Sequence, residues 1–202
     1  MLDTDNTAPG PVAGQIGATS WPVLTIRQPW CWSIVHGGKP VDNRGWPTRY
    51  RGPLWLHAGA RSRWDPAGAS FPLLRRAWHD YLHRTQDSCS RMPESDVILS
   101  RRTTLVPFGA VVALAQVTGC HDSRACYVPS GGRGPGAYCS PWGASEQFHI
   151  ELADVRPLAE PVPCRGMLGL WRLSEDVERA VRAQLDIGAQ SKTSTEKEQC
   201  RT

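Results

Sequence analysis

No run of about eighteen apolar residues occurs in the 202-residue chain, so no transmembrane helix is expected. The first residues lack a basic segment followed by an apolar one, which removes the expectation of a secretory leader. The chain is read as cytoplasmic, with no membrane partner. Cysteine occurs seven times, at 31, 89, 120, 126, 139, 164 and 200, but the number is odd and the spacing forms no framework. Free thiols are therefore expected in place of a disulfide set. No internal repeat is visible, which sets repeat architectures aside. Lysine is also scarce: nearly all the cationic charge is arginine, whose planar fork suits phosphates, carboxylates and base edges.

Forty per cent of the residues are hydrophobic, enough to build a core, and the length suits one domain with tails. Charge is unevenly spread. Residues 21–110 carry 13 Lys/Arg against 6 Asp/Glu, a net of +7, whereas residues 111–202 carry 10 against 11. The positive field belongs to the N-terminal half.

Residues 1–20, rich in Gly, Ala, Pro and Thr, read as a flexible lead-in, and 188–202 as a flexible polar tail, leaving a domain over 21–187. Val23–Ile26 is a short β-prone run. Pro29 suits the first position of a helix that Gly37-Gly38 ends, with Trp30 and Ile34 on one face and Trp32 and His36 pointing elsewhere. Pro40–Arg44 reads as a strand that Pro40 confines to a start or an edge. Over 53–58, Leu54, Leu56 and Ala58 alternate with Trp55 and His57 as in a strand. Phe71–His83 has helical spacing, with Leu74 and Trp78 on one stripe. Residues 84–107 read as a polar connection, Gly109–Val117 as a strand buried on both faces, and 119–142 as a Gly/Ser/Pro-rich loop insertion. Strands at Gln147–Leu152 and Gly166–Leu173 follow. Ser174 then caps a last helix with Glu175 and Asp176 in its first turn. Five or six short strands with two or three helices predict an α+β fold, a small barrel flanked by helices.

The densest chemistry lies in Gly37-Gly38-Lys39-Pro40-Val41-Asp42-Asn43-Arg44, which sets an ammonium, a carboxylate and a guanidinium within six residues. On a strand, positions 42 and 44 share a face, and Lys39 in the preceding turn leans over them. The bland reading is a surface ion pair of little worth. The functional reading is a polar pocket in which Asp42 orients or accepts while Lys39 and Arg44 meet an anion or a carbonyl. Arg27, Arg49, Arg51, Arg61 and Arg63 are interleaved with Trp30, Trp46, Tyr50 and Trp64. Charge next to stacking surfaces suits single-stranded nucleic acid. Trp30 and Trp46 are favoured for the pocket, Trp55 and Trp171 for the core. Gln28 either meets a base edge or caps the helix, and His57 reads as a partly buried strand histidine. Cys120, His121, Cys126 and Cys139 offer a tetrahedral zinc set. Their spacing lacks a C-x-x-C knuckle and two intervals are long, so loop thiols are favoured and no metal or other cofactor is predicted. Trp142, which closes the insertion, is placed to fold over the pocket.

Several of these segments, taken in order, resemble one family. They are Leu24-Thr25-Ile26-Arg27-Gln28-Pro29-Trp30, the Gly-x-Lys-x-x-acid-x-Arg stretch, Arg-Gly-Pro-Leu-Trp-Leu-His-Ala at 51–58, Phe108-Gly109-Ala110-Val111-Val112 and the run Gly166–Leu173. Over roughly residues 21–173 the chain resembles the ASCH family. The resemblance implies a PUA-like β-barrel, a fold widely associated with RNA binding and modified-base recognition; fold alone does not fix function. The family pattern usually has Glu where Asp42 stands. Some small bacterial members look like amidohydrolases of an acylated cytidine that use a Lys, a Thr and a Glu. Lys39 matches the lysine, the threonine position falls on Asp42, and no residue is assigned to the second carboxylate. The expected function is therefore recognition of RNA or a nucleotide-like ligand by Arg27, Gln28, Trp30, Lys39, Asp42, Arg44, Trp46, Arg49 and Arg51. The alternative is an amidohydrolase that removes an acyl group from a modified nucleoside such as N4-acetylcytidine, with Lys39 and Asp42 catalytic. A module that binds a protein ligand is the third reading.

Overall fold

A computed structural model describes residues 20–62, 71–85, 106–129 and 137–185. Its central strand is β3 (Gly52–Ser62). Leu54, Leu56 and Ala58 enter one core cluster and Trp55 another, and all four are completely buried. A strand covered on both faces belongs inside a sheet. It pairs in parallel with β1 (Pro22–Gln28) and antiparallel with β4 (Ala110–Asp122). Beyond β4 lies β5 (Phe148–Pro163), and beyond that β2 (Val41–Arg44); β6 (Leu170–Arg172) lines the other side of β1. The order is β2-β5-β4-β3-β1-β6, and the sheet curls into a half-barrel.

Four helices accompany the sheet among the described residues, where two or three were expected. They are α1 (Trp30–Val35), α2 (Phe71–Thr85), the single turn α3 (Ser123–Cys126) and α4 (175–185). The added one, α3, starts where the Asp122 side chain accepts a hydrogen bond from the Arg124 backbone N–H at 2.9 Å, an Asp cap within the supposed loop. No helix among the described residues is long and apolar enough to cross a membrane.

Three packed clusters hold these parts. The first fills the barrel with residues of β1, β3, β4 and β5 together with Cys31 and Ile34 of α1. The second lies under α4, where Val181 is fully buried against Trp55 and Trp171. The third joins α1 to α2 through Trp32 and Trp78, whose ring centroids are 4.6 Å apart. Trp32 is thus buried, although sequence spacing turned it away from the packed face. A six-residue helix wedged between a barrel and a second helix buries two sides.

The largest departure from the expected elements lies at 119–122. These residues, assigned to an insertion, continue β4 and pair with Phe148–Glu151. In the same way β5 runs to Pro163, not to Leu152. The expected lead-in, the C-terminal tail and most of the 84–107 connection lie outside the described residues.

Leu56 is completely buried in the barrel cluster. Leu56→Ala is expected to lower unfolding stability by about 2–5 kcal/mol, whereas Arg49→Ala, on the exposed surface, changes it by under about 0.5 kcal/mol. Urea unfolding followed by tryptophan fluorescence checks both.

Candidate functional site

The site begins at the end of α1. Gly38 adopts φ +69°, a left-handed conformation that glycine takes without strain. The chain turns there, and the Lys39 backbone N–H donates to the Ser33 carbonyl at 3.0 Å. The turn directs Lys39 inward, where it is only 4% exposed, and feeds the chain into β2. Asp42 and Arg44 then fall on one face of that strand, as the period of two requires.

Arg44 Nε donates to Asp42 Oδ2 at 2.5 Å, and Arg44 Nη2 donates to the Thr25 carbonyl at 2.7 Å. Among the described residues β2 is an edge strand paired only with β5, and Thr25 lies on β1, three strands beyond β5. The guanidinium therefore bridges two distant strands across the mouth of the half-barrel. Lys39 Nζ donates to the Val41 carbonyl. Burial pushes the Lys39 ammonium down to about 8; the Asp42 charge opposes this, and Arg44 adds to it.

These groups line a cavity of about 940 Å³, a size typical of small-ligand sites. Arg27, Lys39, Asp42 and Arg44 give it charge, and Trp30, Trp46, Trp142 and Phe71 give it flat apolar walls. The Arg44 guanidinium carbon is 5.9 Å from the Trp46 ring centroid, and Lys39 Nζ is 5.8 Å from that of Trp142. Asn43 holds the Trp142 wall: its Nδ2 donates to the Trp142 carbonyl at 2.8 Å, and its Oδ1 accepts from the Ala144 N–H at 3.2 Å. Met167 and Leu168 form a rim, and Leu168 is 98% exposed. A smaller recess of about 400 Å³ lies between α1, α2 and β5 and also touches Lys39, but none of its described lining residues is a tryptophan.

Comparison with known families decides what kind of domain carries this cavity. The ASCH domain model matches residues 24–161, more than half of the chain. The chain belongs to the ASCH domain family. No curated protein matches it. The family match ends at residue 161, and the Met167–Leu168 rim comes from the loop leading into β6.

Seven residues singled out in the sequence meet at the cavity: Arg27, Trp30, Lys39, Asp42, Arg44, Trp46 and Trp142. Gln28 does not face it. Its Nε2 donates to the Pro107 carbonyl at 2.7 Å and its Oε1 accepts from the Trp32 N–H at 3.0 Å, so it caps α1 from a buried position. Arg49, Arg51 and Arg61 are exposed and lie outside the cavity lining; Arg51 instead donates to the Thr48 and Tyr50 carbonyls. Arg63 and Trp64 lie outside the described residues. His57 is completely buried, with Nε2 3.1 Å from the Cys164 carbonyl, and burial lowers its pKa against that bond's opposition. It serves as a neutral core histidine. Trp55 and Trp171 are core residues.

Sequence reasoning missed Thr25, Asn43, Phe71, Gln147 and the Met167–Leu168 rim. The rim had a signal in the glycines that bracket it. A Cβ on Gly166 would sit 2.5 Å from His57 Cε1, and Gly169 adopts φ +66°. The backbone must turn there and cannot run on as strand.

Lys39 gives a pH test. Its folded pKa of about 8 lies below its ordinary value of 10.5, so between those values the unfolded chain binds more protons and folding stability rises with pH. Relative to Lys39→Met, the wild-type protein is expected to gain stability on the order of 3 kcal/mol across that window. Denaturant unfolding at pH 7.5, 9 and 10.5 measures it, and a constant difference would contradict the burial of the charge.

Proposed function

We propose that this ASCH domain binds RNA, or a nucleotide-like ligand, by taking one unstacked nucleotide into the cavity between α1, β2 and the Trp142 segment. The carrying observation is the lining itself. Three cationic side chains and one carboxylate share about 940 Å³ with Trp30, Trp46 and Trp142. The family supports RNA-binding or related functions in general. Exposed Arg27 is the cation best placed for a phosphate, while Trp30 or Trp46 supplies a stacking face. Asn43, Gln147 and the buried Lys39 offer donors and acceptors to the edge of a base. Arg44 is held by Asp42 and Thr25, so its part is to fix the carboxylate in place. A cytoplasmic setting without a membrane partner belongs to the same reading.

One observation favours a second reading, the removal of an acyl group from a modified nucleoside. With a pKa of about 8, a share of Lys39 is neutral near physiological pH and able to accept a proton. In that reaction water adds to the acyl carbon, the C–N bond breaks, and acid and amine leave. However, Asp42 is the only acid among the described lining residues, and it is bound to Arg44 at 2.5 Å. No second carboxylate there shares the proton transfers, which is why binding leads.

Fluorescence anisotropy with a short single-stranded RNA tests the first reading. Affinity is expected to fall steeply with added salt. Trp46→Ala is expected to weaken binding by roughly tenfold through lost stacking, and Lys39→Ala to weaken it modestly. Acetate release from N4-acetylcytidine, abolished by Lys39→Ala with binding retained, would favour the hydrolase. Neither binding nor turnover would overturn both and leave the protein-interaction reading.

A further inference from the structure

Away from the cavity lining, four side chains converge at the far end of the β4–β5 ribbon. His121 and His149 are cross-strand partners, with ring centroids 5.3 Å apart. Cys126 ends α3. Cys139 follows the bridge between Val128 and Ala137, whose paired backbone hydrogen bonds of 2.8 and 2.9 Å draw the two cysteine-bearing segments together. One donor atom from each of the four residues lies within 4.8 Å of all the others. The sulfurs of Cys126 and Cys139 stand 3.4 and 3.3 Å from the same atom, Nδ1 of His149. Zinc bonds of about 2.3 Å to sulfur and about 2.0 Å to nitrogen, at a tetrahedral angle, separate such donors by about 3.5 Å.

The second ring nitrogens point to the same conclusion. His149 Nε2 lies 2.9 Å from the Ala144 carbonyl, which only accepts, so that nitrogen carries the proton and Nδ1 presents its lone pair to the two sulfurs. His121 Nδ1 lies 2.9 Å from Glu151 Oε1, while its Nε2 is buried without a hydrogen-bond partner. A buried imidazole nitrogen left unpaired while a carboxylate holds the other is the arrangement of a metal-ligating histidine. Close packing depends on two glycines. A Cβ on Gly119 would lie 2.1 Å from Glu151 Oε2, and one on Gly143 would lie 2.8 Å from His149 Cε1.

We propose that His121 Nε2, His149 Nδ1 and the thiolates of Cys126 and Cys139 bind one zinc ion in a tetrahedral Cys2His2 site. Two thiol protons leave to solvent on binding, and the two thiolates balance the ion's charge. Mixed thiolate and imidazole donors in a closed set of four suit structural zinc. The membership differs from the one the sequence suggested. Cys120 neighbours His121 on a strand, so their side chains point to opposite faces, and the Cys120 sulfur accepts from the Thr48 N–H at 3.4 Å. His149, from the adjacent strand, takes its place.

The site also ties down one wall of the cavity. His149 faces Asn43 across the β2–β5 pairing and holds the Ala144 carbonyl, while Asn43 holds Trp142. The ion would fix the segment from Cys139 to His149, which carries Trp142, Ala144 and Gln147 to the cavity.

Elemental analysis of the purified full chain is expected to find about one zinc per chain, with Cys120→Ser retaining it and the Cys126→Ser/Cys139→Ser double variant losing it. Should that double variant fail to fold, the wild-type chain still decides the matter. Stripped with a chelator and given cobalt(II), it is expected to show tetrahedral d–d bands with thiolate-to-cobalt charge transfer, and chelation alone is expected to lower Tm. Negligible zinc without a tetrahedral cobalt spectrum, or full zinc in a folded double variant, would overturn the site.

Discussion

A six-stranded sheet that curls only half-way round leaves two edges facing each other across a gap, and something other than backbone pairing must hold the gap at a constant width. Here the Arg44 guanidinium spans it, bonded to Asp42 on the edge strand β2 and to the carbonyl of Thr25, which lies on β1 just past the stretch paired with the other edge strand, β6. Asp42 is almost wholly buried and Arg44 about three-quarters so. A charge pair out of water gains little net stability, but losing one partner leaves the other charged and unsolvated. The pair therefore sets geometry more than it adds stability. The cavity lies beside that strut, with Asp42 and Arg44 in its lining.

The same logic explains Lys39. Burying an ammonium against one carbonyl and beside a guanidinium is unfavourable, as its lowered pKa shows. The surrounding structure bears that cost because Gly38, the Ser33 carbonyl and the β2–β5 pairing over-determine the turn. Groups held at such a cost concentrate where a ligand or reacting group must meet them.

Much of this was legible in the chain because simple periods govern it. Alternation at 53–58 marked β3, the buried run after Gly109 marked β4, and the period of two placed Asp42 and Arg44 on one face. What was not legible depends on pairing between distant segments. Gly119, Cys120, His121 and Asp122 have no strong strand character of their own and become strand only because Phe148–Glu151 lie beside them. His149 joins His121 for the same reason. Met167 and Leu168 read as strand by their apolarity, while their exposure follows from the turn that Gly166 and Gly169 make. Gln28 was ambiguous by nature, since the groups that fix its role, the Pro107 carbonyl and the Trp32 N–H, are known only from the fold.

Strut, buried lysine and tryptophan walls all support the proposal that the cavity takes a flat nucleotide-like ligand. Among the described residues the cavity is lined by three indoles, those of Trp30, Trp46 and Trp142, while Trp55 is sealed in the separate core cluster under α4. Titrating labelled protein with a short single-stranded RNA and following the indole N–H resonances by NMR tests the claim directly. The signals of Trp30, Trp46 and Trp142 are expected to shift while that of Trp55 holds still. Shifts confined to residues outside the cavity, or no shift in any of those three, would contradict it.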